Sequence, residues 1–183
     1  MEVERKKLKK NGKKVLKIIL ISGTPGTGKT KLAKILAKRL KGEHIEVNKA
    51  LKERKMYDSY DKSKKTFIIP EKALIWFLEM MISEKGERIK GKYLILDSHM
   101  SHFFRTKKIK VCIITTCELK TLKKRLKKRG YNKAKIRENL DSEIFEVCKT
   151  EALEAGHKVL EVDTTKGILT RKIAEILKAV KTQ

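Results

Sequence analysis

The segment GTPGTGKT, Gly23 to Thr30, fits the pattern G-x-x-x-x-G-K-[S/T] at every defined position. VLKIILIS (15–22), rich in branched apolar residues, precedes it, and KTKLAKILAKRLKG follows, with Leu32, Ile35, Leu36 and Leu40 at helical spacing closed by Gly42. Strand, glycine loop and helix in that order form a phosphate-binding loop. The glycines let the backbone curl so that successive N–H groups point at phosphate oxygens, and the helix N-terminus adds its partial positive charge. The chain is thereby restricted to α/β architectures in which a buried strand feeds a helix. Lys29 is expected to reach the β and γ phosphates of ATP or GTP, and the Thr30 hydroxyl to ligate Mg²⁺.

The remaining chain continues the alternation. HIEVN (44–48) reads as a short strand, ALKERKM as a short helix, and YDSYDKSKKT (57–66), without a period, as a loop. Pro70 opens a helix whose inner stripe is Ala73, Leu74, Phe77, Leu78 and Met81, running to Gly86. KYLILD (92–97) and KVCIITT (110–116) are buried strands. ELKTLKKRLKKRG is a basic helix ending at Gly130, NKAKIRENLDSEIFEVCKTEALEAG one long helical pattern to Gly156, KVLEVDT (158–164) the last strand and GILTRKIAEILKAV the closing helix. Strands separated by helices imply parallel pairing with right-handed crossovers, hence a three-layer α/β fold with a sheet of about five strands. At 183 residues one domain is expected, residues 15–183, after a basic, flexible lead-in at 1–14.

Forty-seven Lys and Arg against 22 Asp and Glu give a formal charge of +25. Such an excess concentrates phosphate-bearing partners, so nucleotides and RNA lead; part of it also solvates helix faces. Cys112, Cys117 and Cys148 form no C-x-x-C pair, which fits reduced thiols rather than disulfides or a zinc knuckle. No apolar run approaches the roughly 20 residues that cross a bilayer, and the start lacks a cleavage site. A cytoplasmic protein without a membrane partner is expected.

A phosphate loop needs an acid for its magnesium at the end of a neighbouring buried strand, and Asp97 in LILDSHMSH (94–102) meets that need. His99 and His102 are then too few for a closed zinc site. His99 stands close to the expected γ phosphate; His102 reads equally as a loop histidine with a structural hydrogen bond or as a functional one. Asn48-Lys49 and Asn132-Lys133 lack the acid that completes a guanine-recognition motif. That leaves a small kinase, for which KKRLKKRGYNKAKIRE (123–138) offers a cationic lid with Arg125, Arg129 and Arg137 around a Gly130 hinge.

GTPGTGKT, YDSYD (57–61), LDSHMSH (96–102), RGYN (129–132) and ENLDSEIFEV (138–147), taken together in order, resemble the adenylate kinase isoenzyme 6 family from about residue 15 to the end. The resemblance implies a P-loop nucleoside-kinase fold with a short monophosphate-binding segment, 46–69, and a short lid, 128–138. It implies a Mg²⁺-dependent adenylate kinase, or broad-specificity nucleoside monophosphate kinase, that passes the γ-phosphoryl group of ATP to AMP. It further implies ATPase activity and a role in small-subunit rRNA maturation through the ribosomal protein uS11. Carried over residue by residue, Gly26, Thr27, Gly28, Lys29, Thr30, Lys31 and Arg129 hold ATP, and Thr30 and Asp97 hold magnesium. Lys29, Asp97, His99 and Arg129 carry the chemistry. Two departures stand out: Lys31 replaces a second threonine, and Asn48-Lys49-Ala50-Leu51-Lys52 replaces the family's G-D-x-x-R, so that a lysine stands where a two-pronged guanidinium is usual. The alternative is an ATPase assembly factor that switches its grip on uS11 and rRNA with little true kinase activity.

Overall fold

Ile18, Ile19, Leu20 and Ile21 have no exposed surface, because they lie in a strand covered on both faces. The computed structural model describes residues 16–62, 66–85 and 92–181; the lead-in at 1–14 and the expected helix terminator Gly86 lie outside them. Along the chain the elements are β1 (Lys17–Ser22), α1 (Lys29–Leu40), β2 (Glu43–Glu46), α2 (Val47–Glu53), β3 (Ser59–Asp61), β4 (Thr66–Ile68), α3 (Glu71–Lys85), β5 (Tyr93–Asp97), β6 (Ile109–Thr116), α4 (Leu119–Lys128), α5 (Lys133–Ile144), α6 (Val147–Glu154), β7 (Val159–Asp163) and α7 (Thr170–Lys181). A single 3₁₀ turn, Ser101–Phe103, follows β5.

Five strands form a parallel sheet in the order β2-β5-β1-β6-β7. The pleat sends alternate residues to opposite faces. Ile18, Leu20, Leu94, Leu96, Cys112 and Ile114 pack with Leu51 of α2, Leu74, Phe77 and Leu78 of α3 and Ala152 of α6. Ile19, Ile21, Ile95, Val111 and Ile113 pack with Leu32 and Leu36 of α1 and Ile173, Ile176 and Val180 of α7. The three layers expected from the alternation of elements are therefore present. A small third cluster, Cys117, Leu122, Leu126 and Ile136, joins α4 to α5.

Three local expectations are corrected. The 57–66 stretch is not simply a loop: β3 and β4 pair antiparallel, with Tyr60 opposite Phe67. Phe67 packs at a tilt against Tyr57 and Tyr60 with ring centroids 4.4 and 4.9 Å away, an aromatic anchoring too short to show as a period. The long helix to Gly156 is two helices, broken at Phe145 and at Glu146, whose φ is 50°. The break lets the buried faces differ: α5 turns Ile136 and Asn139 inward, α6 Cys148 and Ala152. The left-handed residue after α1 is Lys41, with φ 50°, rather than Gly42. Gly42 is required for closeness instead, since a Cβ there would lie 2.7 Å from the Tyr93 carbonyl oxygen on β5. No helix among the described residues is long and apolar enough to cross a membrane.

Candidate active site

β1 and β5 run side by side with Ile21 opposite Asp97, so the glycine loop and the 97–102 turn leave the sheet at the same edge. That carboxyl edge is where open α/β sheets bind ligands. A cleft of about 650 Å³ opens there, and Gly26, Gly28, Lys29, Thr30, Lys31, Asp97, His99 and Arg129 all line it. A second hollow, about 580 Å³, lies past Gly23 and Thr24 and is walled by Glu118, Glu143, Glu146, Glu161 and Asp163, a charge that repels phosphate.

The loop is held from behind. Gly23 has φ 129°, and a Cβ there would run into the Thr115 carbonyl oxygen; Gly28, φ 93°, is the left-handed residue that starts α1. Thr27 is the predicted ligand that does not line the cleft. Its hydroxyl is buried, 2.7 Å from the Thr24 carbonyl oxygen and 2.6 Å from the Thr115 hydroxyl, so it offers a ligand only its backbone. Arg125, expected in the lid, is a brace: its guanidinium donates to the carbonyls of Gly26 (3.4 Å), Thr164 (2.7 Å) and Thr165 (3.3 Å). Arg137 pairs with Asp141 at 2.9 Å on the surface. Of the three arginines only Arg129 lines the cleft.

Lys29 Nζ donates to the carbonyl oxygens of Gly23 (2.7 Å) and Thr24 (3.1 Å). Burial lowers its pKa to about 8, against a smaller opposing pull from Asp97. Asp97 is 3% exposed, and its Oδ2 has no hydrogen-bond partner among the described residues; His44 Nε2 stands 3.5 Å away without bonding to it. Asp97 lines the cleft beside Thr30, and a carboxylate with an unsatisfied oxygen next to a hydroxyl suits a hard cation. Among the described residues no group of three or more His, Cys, Asp or Glu could cage a metal. Magnesium fits that sparse set, because it is commonly held by one or two protein oxygens with the rest of its shell from phosphate and water.

The His99 ring meets the polar side chain of Asn48. Its Nδ1 lies 3.0 Å from Asn48 Nδ2, while Ser98 Oγ donates to Asn48 Oδ1 at 2.7 Å. Burial, and next the charge of Lys29, lower its pKa to about 4, so the ring is neutral at pH 7. His102 turns away from the cleft and is 1% exposed. Its Nδ1 is 2.7 Å from Ser22 Oγ, its Nε2 2.9 Å from Glu151, and its carbonyl oxygen 2.7 Å from His157 Nε2. Burial takes its pKa to about 4, so the ring is neutral at pH 7 and bridges the Ser22 hydroxyl and the Glu151 carboxylate. Of its two readings, the structural one holds: His102 ties α6 to the end of β1.

Sequence reasoning missed several cleft residues: Asn48 as the partner of His99, and Tyr131, Lys135 and Asn139 from the 131–139 stretch. His44, beside Asp97, was missed as well. No local signal marks them; Asn48 and His99 are 51 residues apart in the chain and meet only through the β2–β5 pairing.

A family profile described as "AAA domain" matches residues 19–146. A protein of Methanocaldococcus jannaschii named "Putative adenylate kinase" is 37% identical over 163 residues, covering 89% of this chain and 85% of that one. The adenylate kinase isoenzyme 6 homolog of Dictyostelium discoideum is 35% identical over 145 residues, 79% of each. Among solved structures, an unliganded sugar kinase from Janibacter has a TM-score of 0.62 at 13% identity, covering 91% of this chain and 95% of that one. Deoxyadenosine kinase from M. mycoides with bound dATP has a TM-score of 0.53 at 16% identity, covering 90% and 99%. Those two likenesses show the shared P-loop kinase fold.

Proposed function

Since this chain belongs to the family that holds the archaeal adenylate kinase homologues and the adenylate kinase isoenzyme 6 homologues, we propose that it transfers the γ-phosphoryl group of ATP to a nucleoside monophosphate, AMP foremost. The observation that carries this reading is the gathering of Lys29, Asp97, His99 and Arg129 on one cleft around the phosphate loop. Phosphoryl transfer needs little beyond alignment and charge stabilisation. The backbone N–H groups from Gly26 to Thr30 cradle the phosphates, and Lys29 leaves its loop carbonyls to pair with the β and γ oxygens. Arg129, on the 128–138 segment next to Gly130, closes over the transferring group. Thr30 and Asp97 would hold magnesium, which would supply positive charge against the phosphates. The 46–69 segment receives the monophosphate, with Lys52, Asp61, Thr66 and Ile68 lining its side of the cleft.

A coupled assay with ATP and each monophosphate in turn tests the reading. AMP is expected to raise ADP formation well above that from ATP alone; no response to any monophosphate would refute a kinase. His99→Ala should lower turnover and leave ATP binding nearly intact, since this ring is not assigned to ground-state phosphate binding. Equal loss of both would contradict that role.

One observation favours a second reading, an ATPase that assists small-subunit assembly on uS11 and rRNA. The acceptor side presents Lys52, a point charge without a guanidinium fork, in a chain of net charge +25. Nucleotide-dependent capture of uS11 and steeply salt-dependent rRNA binding would support it. Absence of both in every nucleotide state would count against it.

A further inference from the structure

His99 can serve phosphoryl transfer in two opposite ways, as a hydrogen-bond donor to a phosphate oxygen or as a base that removes a proton. Which one is open to it depends on the ring nitrogen that carries hydrogen. The surrounding hydrogens can be counted from the backbone outward. The Met100 N–H can only donate, and it donates to Ser98 Oγ at 3.0 Å. Ser98 Oγ still has its own hydrogen, and it donates that hydrogen to Asn48 Oδ1, 2.7 Å away. With its oxygen facing Ser98, the Asn48 amide turns its NH₂ to His99 Nδ1 at 3.0 Å. An amide NH₂ only donates, so Nδ1 must be the bare nitrogen and the neutral ring carries its hydrogen on Nε2.

We propose that Asn48 is a positioning residue that fixes His99 as the Nε2–H tautomer, making His99 a hydrogen-bond donor to the charge that develops on the transferring group and denying it the role of general base. The inference rests on the phosphotransferase reading and deepens it, because the two possible acceptors differ in their protons. When a monophosphate attacks, its anionic oxygen forms the new bond to Pγ while the β–γ bridging oxygen leaves with ADP, and no proton has to be removed. When water attacks, the same bonds form and break, but a proton must leave the nucleophile. An Nε2–H ring can stabilise charge in either reaction but cannot accept at Nε2 the proton that hydrolysis releases. Asn48 thus biases the site toward transfer to phosphate and away from hydrolysis. It reaches this position as the second residue of α2, inside the segment assigned to the acceptor.

The tautomer is directly observable. In the full chain labelled with ¹⁵N-histidine, at neutral pH and without nucleotide, the His99 ring is assigned among the four histidines by the signal lost in His99→Gln. The expected pattern is a protonated Nε2 and a bare Nδ1. Asn48→Asp keeps the shape of the side chain but leaves only acceptors facing Nδ1, so the ring hydrogen should move to Nδ1 and free Nε2 as a base. In that variant the ratio of ATP hydrolysis to monophosphate transfer should rise by about tenfold, a modest share of what a positioned base supplies. Far-UV circular dichroism and the melting temperature establish that the variant is folded. A wild-type ring carrying hydrogen on Nδ1, or a folded Asn48→Asp protein with an unchanged tautomer, overturns the proposal. If His99 shows Nε2–H while no monophosphate is accepted, the tautomer assignment stands and the kinase reading falls.

Discussion

Burial keeps Lys29 near pKa 8 instead of 10.5, so in the proposed phosphate-binding role this single side chain should make ligand binding sensitive to mildly alkaline pH. Phosphate oxygens brought beside the ammonium favour its charged form and raise that pKa. Below pH 8 the lysine is already protonated and ATP affinity should be flat. Above pH 8 binding must first protonate Lys29, so affinity should fall, by up to about tenfold per pH unit. Calorimetry in buffers of different ionisation heat should show proton uptake near pH 8.5 that disappears in Lys29→Met; uptake that persists would place the titrating group elsewhere. Lys29 was identifiable from G-x-x-x-x-G-K-[S/T] alone, because the motif encodes its own geometry within eight residues. Thr27 shows the limit of that reasoning. Its place in the motif is unremarkable, yet its hydroxyl turns inward because Thr115, 88 residues away, lies beneath it.

Among the elements, α1 ends in a way that composition hides. Lys41 takes the left-handed conformation, and the Gly42 N–H bonds the Ala37 carbonyl at 2.9 Å, six residues closing to one as in a glycine-capped helix. A lysine in that conformation is strained by its Cβ, and its side chain is exposed. Lys41→Gly is expected to raise stability by about 0.5–1 kcal/mol, the strain relief exceeding the added freedom of the unfolded chain. Chemical denaturation checks it, and a lowered midpoint would mean that the Lys41 side chain is itself needed. The α5–α6 break has a related cause. The stretch from Asn132 to Gly156 has helical residues throughout, but its two halves must cover different surfaces, and one residue with φ 50° at Glu146 turns the chain between them.

Over the whole molecule, two desolvated histidines, His102 buried and His99 half-buried on the cleft, set the behaviour in acid. His99 and His102 have pKa values lowered by burial to about 4 from 6.5. Between those values the unfolded chain binds protons that the folded chain refuses, so stability is present in full above pH 6.5 and is lost as pH falls toward 4. The loss is on the order of 3 kcal/mol for each group. The urea midpoint of the wild type should fall between pH 7 and pH 5 by more than that of His102→Gln, which has no proton to bind at that position. Equal falls would show that His102 is not held neutral. The net charge of +25 adds mutual repulsion to that loss as carboxylates neutralise.

The sequence by itself determined the layered α/β fold, the parallel strands, the phosphate loop and the acid-x-histidine turn after β5. Each of these is local: unbroken apolar runs show strands covered on both faces, helical spacing shows one buried stripe, and the loop carries its own chemistry. Tertiary structure decided which basic residues face the cleft and which histidine belongs to it. Arg125 and Arg129 are four residues apart, yet one braces the loop and the other lines the cleft. His99 and His102 are three apart, yet one meets Asn48 at the cleft and the other is enclosed by Ser22 and Glu151. The partners that separate them lie on other strands and helices. Only the pairing of β2, β5 and β1 and the packing of α6 bring those groups within hydrogen-bond distance, and no spacing along the chain encodes such a contact.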